Sequence, residues 1–154
     1  MPTVEQIEQA LFRLAPKELA FGWDNVGHLE GDPAQEVQRV LVALDVTEDV
    51  VTEAEALGCQ LIVSHHPVIF GGVKSVTDET VTGQVLLALA ENGLSAICAH
   101  TNLDAVMEGV NCCLARTLEL KDLEQLHQDG LDHEGRPYGI GRVGIAHRPG
   151  MTAG

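Results

Sequence analysis

Five side chains that could bind a metal ion follow the ends of three apolar runs in this sequence. They are Asp45, His65, His66, His100 and Asp104. Imidazole is a good ligand for zinc, iron and manganese, and a carboxylate neutralises the charge of such ions. If the three runs are neighbouring parallel strands, their carboxyl ends meet at one edge of the sheet, where open α/β sheets bind ligands. The spacing therefore predicts a metal site at that edge.

The adjacent histidines, His65 and His66, are followed by Pro67. A proline disfavours helical geometry at the preceding residue, so His66 is expected to be extended. Consecutive side chains of an extended chain point in opposite directions. One ion therefore cannot easily bind both rings, and two interpretations remain. Either each histidine binds a different ion of a pair, or one is a ligand and the other supports it. A hydrogen-bonded structural pair is the alternative without metal.

The other three side chains each allow more than one role. His100 can be a ligand, an acid–base group or a residue that orients a ligand through a hydrogen bond, and the last role is favoured. Asp45 can orient a histidine or cap the helix that follows it. Asp104 can be a ligand or cap the next helix. The residue pattern alone leaves these alternatives open.

Alternating strand and helix patterns predict the scaffold that must position these side chains. Strands are predicted at residues 37–44, 60–63 and 95–99, and helices near residues 3–14, 47–57, 80–92 and 110–118. Thr3 and Gln6 have the spacing of a capping box at the start of the first helix. Right-handed crossovers then give an α/β fold with a mostly parallel sheet flanked by helices on both faces.

The sequence predicts two segments, one with regular secondary structure and one that is mostly loop. Residues 1–120 are expected to form a metal-binding α/β lobe, and residues 121–154 a polar loop with one possible strand at residues 138–146. Residues 21–27, which include the single tryptophan, are expected to form an ordered loop. The remaining histidines lie in polar segments and are expected to be solvated; they are His28, His127, His133 and His147. The four cysteines form no CxxC pair and are expected to be small buried side chains.

Charge and hydropathy restrict the partners. The 154-residue chain has 23 acidic against nine basic residues, and its net charge is −14. Such a surface repels phosphate backbones and anionic lipid, so nucleic acid and membrane are not expected partners. The first residues lack a basic and an apolar signal-peptide region, and no apolar run approaches the roughly 18 residues that span a bilayer. A cytoplasmic location is expected.

Four linked motifs resemble those of one family. They are residues 23–27, 44–47, 61–67 with Phe70, and 100–104 with residues 109–111. In this order, over residues 3 to about 120, the chain resembles the Nif-three-like dinuclear-metal-centre family, commonly labelled GTP cyclohydrolase I type 2 homolog. The resemblance implies one lobe of a two-lobed α/β fold, a toroidal homohexamer and two divalent metal ions, with zinc, iron and manganese equally suitable. It implies that His65, His66 and Asp104 are metal ligands and that His100 lies near the site.

The resemblance also implies a function. A metal-dependent hydrolase acting on a nucleotide or another small molecule is expected, and a non-catalytic metal-handling or scaffold protein is the alternative. Members of the family are longer, and their second lobe supplies a further histidine and a glutamate to the metals. This sequence is therefore expected to correspond to the first portion of such a protein.

Overall fold

A four-stranded sheet lies at the centre of the fold in the computed structural model, which describes residues 1–146. Its strands are β1 (Gly27–Glu30), β2 (Val40–Ala43), β3 (Leu61–Ser64) and β4 (Ser95–Cys98), in the order β1-β4-β3-β2. Strands β2, β3 and β4 are parallel, and β1 is antiparallel to β4. The helices are α1 (Val4–Leu14), α2 (Glu48–Ala56), α3 (Val81–Glu91), α4 (Thr101–Ala105) and α5 (Val110–Thr117), with a short 3₁₀ turn at Lys17–Leu19.

Helices cover both faces of this sheet. Leu61 and Ile62 are adjacent on β3 and fully buried on opposite faces, as the twofold period of a strand requires. Ile62 packs in the cluster that contains Val51 of α2 and Leu89 of α3. Leu61 packs in a second cluster with Val4 of α1. The predicted fold class, a mostly parallel sheet between helices, is confirmed.

Threonine side chains cap the N-termini of three helices, and these helices start where the sequence predicts. Thr3 accepts from the backbone N–H of Gln6, and the Gln6 side chain accepts from the backbone of Thr3, which completes the predicted capping box. Thr47 and Thr80 cap α2 and α3 in the same way. Each cap satisfies an N–H group that has no partner within its helix.

Strand β1 was not predicted. The expected loop ends at Gly27, and His28, expected to be solvated, lies in the strand. Its backbone N–H donates to Glu8 Oε1 at 2.8 Å, and its Nε2 is buried without a hydrogen-bond partner. The strand has only four residues, two of them polar, so it has no clear apolar period. It pairs at the edge of the sheet with the buried strand β4, and that tertiary contact stabilises it.

Residues 120–146, the last that the structure describes, form more β-strands than the sequence predicts. Strands β5 (Leu120–Gln125) and β8 (Arg142–Ala146) pair antiparallel, as do the two-residue strands β6 (Gly130–Leu131) and β7 (Pro137–Tyr138). The loop predicted from residue 121 is therefore wrong over residues 121–125 and 130–131, and the predicted strand at residues 138–146 is interrupted. Gly139 and Gly141, both at positive φ, separate β7 from β8. The division at residue 120 stays a prediction.

The remaining cysteine, histidine and hydropathy predictions have mixed outcomes. Cys98 and Cys112 are buried as expected, Cys59 is half-buried, and Cys113 is exposed, which corrects the prediction for that residue. His127 and His133 are exposed as expected. His147 and the rest of residues 147–154 lie outside the described residues. Within residues 1–146 no helix combines the length and apolar character needed to cross a membrane.

Candidate metal centre

Three histidines converge at the carboxyl edge of the sheet. His65 and His66 follow β3, and His100 lies two residues beyond β4, the parallel neighbour of β3. One ring nitrogen of each histidine lies within 4.8 Å of one from each of the others. The ring centroids are 5.0 to 5.5 Å apart. The parallel register thus brings together side chains more than 30 residues apart in sequence.

The chain bends at His65 and His66 instead of remaining extended. The Ser64 hydroxyl donates to the carbonyl oxygen of His66 at 2.8 Å, across the bend. The expectation that the two rings point in opposite directions is therefore wrong, because it assumed extended geometry. The rings are adjacent, with centroids 5.2 Å apart. One ion can contact both.

Each imidazole is held by a hydrogen bond at Nδ1. The acceptors are the Ala99 carbonyl oxygen for His65 at 3.1 Å, Asp45 Oδ1 for His66 at 2.7 Å and Asp24 Oδ1 for His100 at 2.9 Å. A carbonyl or carboxylate oxygen only accepts, so the proton in each pair is on Nδ1. In the neutral rings the lone pair then lies on Nε2. Metal-binding histidines are oriented in this way by a carbonyl or a carboxylate.

Asp24 is the best-buried acidic side chain of the site, with no exposed surface. It accepts hydrogen bonds from His100, from the backbone N–H and hydroxyl of Thr101, and from the N–H of Asn25. Burial raises the pKa of Asp24, but these hydrogen bonds, Thr101 and His100 foremost, outweigh it and hold the pKa below its usual value. The carboxylate therefore stays ionised and fixes both the tautomer and the orientation of His100.

Sequence reasoning missed the role of Asp24. Its contact with His100 joins residues 76 positions apart, and the aspartate lies in a segment without periodic structure. The available signal was the motif at residues 23–27, which the resemblance included without a role for the aspartate. Asp45, for which two roles were open, orients His66; Thr47 caps the helix that follows.

Asp104 lies on α4 beside the histidines. Its Oδ1 is 3.6 Å from His65 Nε2, longer than a hydrogen bond. Two ligands with bonds of about 2.0 to 2.2 Å to one ion can be separated by such a distance. The side chain does not cap α5, which begins at Gly109 without a side-chain cap. Among the described residues, the Asp104 carboxylate accepts no hydrogen bond.

These observations fit a divalent metal. His65, His66 and His100 supply three oriented nitrogens, and Asp104 supplies an uncommitted carboxylate of the kind that zinc, iron and manganese accept. The structure brings together all five side chains selected from the sequence and adds Asp24. His100, which was expected to orient a ligand through a hydrogen bond, lies within the histidine cluster itself. The assignment of individual ligands and the presence of two ions stay predictions.

Aromatic rings border the histidine cluster on one side. The ring of Trp23 lies edge-on to that of His100, with centroids 6.4 Å apart. Phe21 and Phe70 flank the indole at 5.5 and 5.9 Å. The Asn25 side chain donates to the Ile69 carbonyl oxygen at 2.6 Å, which joins the segment that contains Trp23 to the one that contains Phe70. These rings and the histidines thus form one continuous surface.

The comparisons with known proteins agree on one family for this chain. The family model described as Duf34/NIF3 (NGG1p interacting factor 3) matches residues 2–153. A Streptomyces coelicolor protein named GTP cyclohydrolase 1 type 2 homolog is 42% identical over 143 residues, which are 93% of this chain and 50% of the relative. A Clostridium perfringens protein of the same name is 37% identical over 130 residues, 84% of this chain and 48% of the relative. The chain thus spans about half the length of these relatives.

Solved structures share the fold. The Staphylococcus aureus hypothetical protein SA1388 is 38% identical, with a TM-score of 0.80 over 84% of this chain and 43% of that protein. Reduced HcgD from Methanocaldococcus jannaschii is 31% identical, with a TM-score of 0.76 over 94% of this chain and 54% of that protein. The described fold is thus similar to about half of each of these chains.

Proposed function

The chain belongs to the Duf34/NIF3 family, and from this membership and the geometry of its histidines we propose that it binds divalent metal ions and acts as a metal-dependent hydrolase. The observation that supports the proposal is the convergence of three imidazoles at one sheet edge, each held by a hydrogen bond at Nδ1. The proposed ligands are His65, His66, His100 and Asp104, and the proposed complement is two ions.

Each protein group has a definite task in this proposal. A divalent ion, when bound, supplies Lewis acidity and makes water easier to ionise at neutral pH. Asp24 and Asp45 keep His100 and His66 in the tautomer that presents Nε2. Each ring has Nδ1 hydrogen-bonded to an acceptor and Nε2 proposed as the metal ligand, so none of these histidines is proposed to move protons. Asp104, whose carboxylate accepts no hydrogen bond among the described residues, is the proposed acceptor for a proton from water.

The substrate, assembly and location are further parts of the proposal. Relatives are named GTP cyclohydrolase 1 type 2 homolog, which supports a nucleotide or another small molecule as substrate. We propose a homohexamer, as the family resemblance implies, and a cytoplasmic location, as the sequence predicts. Nucleic acid and membrane are not proposed, because the net charge of −14 opposes both.

Elemental analysis and thermal melting test the metal site. After dialysis against Zn²⁺ or Mn²⁺, the chain should retain at least one ion, and His65→Ala and His100→Ala should lose it. An ion at 100 times its Kd should stabilise the fold by about 2.7 kcal/mol. His127→Ala is the matched control, because His127 is exposed and paired with Asp129 at 3.0 Å. A chain that retains no ion and melts identically with and without metal contradicts the proposal.

A non-catalytic metal-handling protein is the second candidate. It is favoured if both ring nitrogens of each histidine are used, Nδ1 by its acceptor and Nε2 by the proposed ion, because Asp104 alone is then left for proton transfer. The two candidates differ in turnover. A hydrolase should convert GTP or another nucleotide at a rate that chelator and Asp104→Ala abolish. A metal-loaded chain without turnover across a broad panel of nucleotides and small esters supports the second candidate.

A further inference from the structure

The three aromatic rings beside the histidines remain exposed to solvent although they are large and apolar. Phe21 is 38% exposed, Trp23 60% and Phe70 59%. Adjacent exposed apolar side chains are unusual in a folded chain and commonly mark a binding surface. These three are contiguous, since Trp23 contacts both phenylalanines. We call Phe21, Trp23 and Phe70 the aromatic wall.

The aromatic wall is fixed to the histidine cluster by hydrogen bonds on both sides of the indole. The backbone N–H of Phe21 donates to the Thr101 hydroxyl at 3.0 Å, and Asp24, next to Trp23, accepts from His100 and Thr101. The Asn25–Ile69 hydrogen bond holds the segment that ends in Phe70. These hydrogen bonds hold the backbone that carries the wall beside the histidine cluster. A ligand held by the wall is presented to the histidine edge.

A groove beside one ring of the wall, Phe70, is large enough for a small ligand. It has a volume of about 440 Å³ and extends from Phe70 along residues 71–75 to Thr80 and Thr82. This volume falls within the range of small-molecule sites. Aromatic side chains bind flat rings through their faces, and each such stacking contact contributes to affinity without a requirement for a particular hydrogen-bond pattern.

The side chains around the histidines are acidic, so a bound ion, when present, is the main positive charge at this edge. Asp24, Asp45 and Asp104 surround the histidines, and within residues 1–146 no lysine or arginine forms an ion pair with any of them. Among the lining residues of the groove only Lys74 is charged. The net charge of −14 adds a long-range repulsion of polyanions.

We propose that the aromatic wall binds the planar heteroaromatic ring of the substrate and holds it against the histidine edge, and that the ring, not a phosphate group, supplies most of the affinity. This inference rests on the proposed function, because the ring is presented to an ion held by the histidines. It assigns Phe21, Trp23 and Phe70 as the residues that select the substrate class.

Trp23 is the only tryptophan of the chain, so its fluorescence reports directly on the aromatic wall. Guanosine should quench this fluorescence saturably in the zinc-loaded chain, and inorganic triphosphate should neither quench it nor displace guanosine. GTP should bind no more tightly than guanosine. Phe21→Leu and Phe70→Leu should each weaken guanosine binding on the order of tenfold to a hundredfold. Trp23→Leu, measured by calorimetry, should do the same.

Phe12→Leu is the matched control, because Phe12 lies on α1 beside Lys17 and outside the wall; it should bind guanosine as the unchanged chain does. Lys74→Ala should leave the ratio of GTP affinity to guanosine affinity unchanged. The proposal is overturned if the wall variants bind guanosine normally, if inorganic triphosphate displaces the nucleoside, or if GTP binds more tightly through Lys74.

Zinc content, measured on every variant, separates this inference from the proposed function. Wall variants that retain zinc and lose guanosine support the ring-binding role. A chain that retains no zinc contradicts the proposed function, whereas a chain that retains zinc and does not bind guanosine contradicts only the inference drawn from the wall.

Discussion

At the scale of single residues, the chemistry of the site depends on what holds each imidazole. A histidine ring has two nitrogens, and an acceptor at Nδ1 makes Nε2 the available ligand. His65 obtains this acceptor from a backbone carbonyl, whereas His66 and His100 obtain it from carboxylates. The carboxylate pairs also place negative charge behind the ligands, which favours a cation in front of them. Substitution of these acceptors should therefore change metal affinity without removing a ligand.

Asp24→Asn tests whether the acceptor at Nδ1 of His100 contributes to metal affinity. The amide can no longer act as a charged acceptor of the Nδ1 proton, and one of its two terminal atoms becomes a donor. We expect a loss of about 10-fold to 100-fold in metal affinity, the usual cost of removing such an orienting partner. The measurement is a competition titration with a chromophoric zinc chelator, alongside far-UV circular dichroism to check the fold. Asp129→Asn disrupts the exposed His127–Asp129 pair and should not change the affinity. Equal affinities for the two variants would show that Asp24 serves only the fold.

Glu30 gives the chain a pH dependence that does not involve the metal site. Burial raises the pKa of Glu30 above its value in the unfolded chain, and its Oε2 has no hydrogen-bond partner. A raised carboxyl pKa means that the folded state binds the proton more tightly. The ionised carboxylate therefore destabilises the fold above the folded-state pKa. This cost is relieved as pH falls through that value towards the unfolded value.

Glu30→Gln should accordingly raise the free energy of unfolding at pH 7.5 relative to the unchanged chain. The gain should shrink as the pH is lowered through the folded-state pKa, because the unchanged chain then carries a neutral side chain as well. Urea denaturation at a series of pH values measures both effects. Glu55→Gln removes the same charge from an exposed position of α2 and corrects for general repulsion. A gain for Glu30→Gln that is no larger than this control, or is independent of pH, would contradict the argument.

At the scale of elements, the parallel strands were predictable and the residues that support the site were not. Apolar runs mark β2, β3 and β4, and the carboxyl ends of β3 and β4 gave His65, His66 and His100. Strand β1 has no such run, since its polar residues are held by pairing with β4. Asp24 was missed for the same reason, because its function depends on a contact across 76 residues. The bend at His65 depends on a side-chain hydrogen bond that the proline rule does not include.

The turn between α4 and α5 determines where Asp104 lies. The Gly109 N–H donates to the Val106 carbonyl oxygen at 3.1 Å, and a Cβ at Gly109 would lie 1.8 Å from the carbonyl oxygen of Leu103. Gly109→Ala must therefore displace the peptide that joins Leu103 to Asp104. We expect a loss of stability of about 1–3 kcal/mol and weaker metal binding, measured by thermal melting and zinc titration.

Gly58→Ala is a matched control for this substitution. Gly58 has φ +66° with open space around it, so alanine there costs about 1–2 kcal/mol through left-handed strain alone. It precedes β3, at the opposite end of that strand from His65. This variant should lose stability and retain its zinc affinity. If both glycine variants lose zinc affinity in proportion to their loss of stability, the turn has no special role in positioning Asp104.

At the scale of the whole molecule, the acidic surface should attract the ion. The net charge of −14 is spread over the sequence, and three carboxylates lie at the histidine edge itself. The distant charges act through solvent and are screened by salt, with a Debye length of about 30 Å at 0.01 M and about 8 Å at 0.15 M. The contacts within the site are too short to be screened in this way. Association and dissociation of the ion should therefore respond differently to salt.

We expect the association rate constant of Co²⁺ to fall on the order of tenfold between 0.01 and 0.15 M ionic strength, while the dissociation rate constant changes little. Stopped-flow quenching of Trp23 measures both, because its ring lies 6.4 Å from that of His100. The double variant Glu53→Gln with Glu55→Gln removes two exposed charges of α2 and should reduce the salt dependence without changing dissociation. If salt instead accelerates dissociation and leaves association unchanged, the ion is held by exposed pairs and not by the histidine cluster.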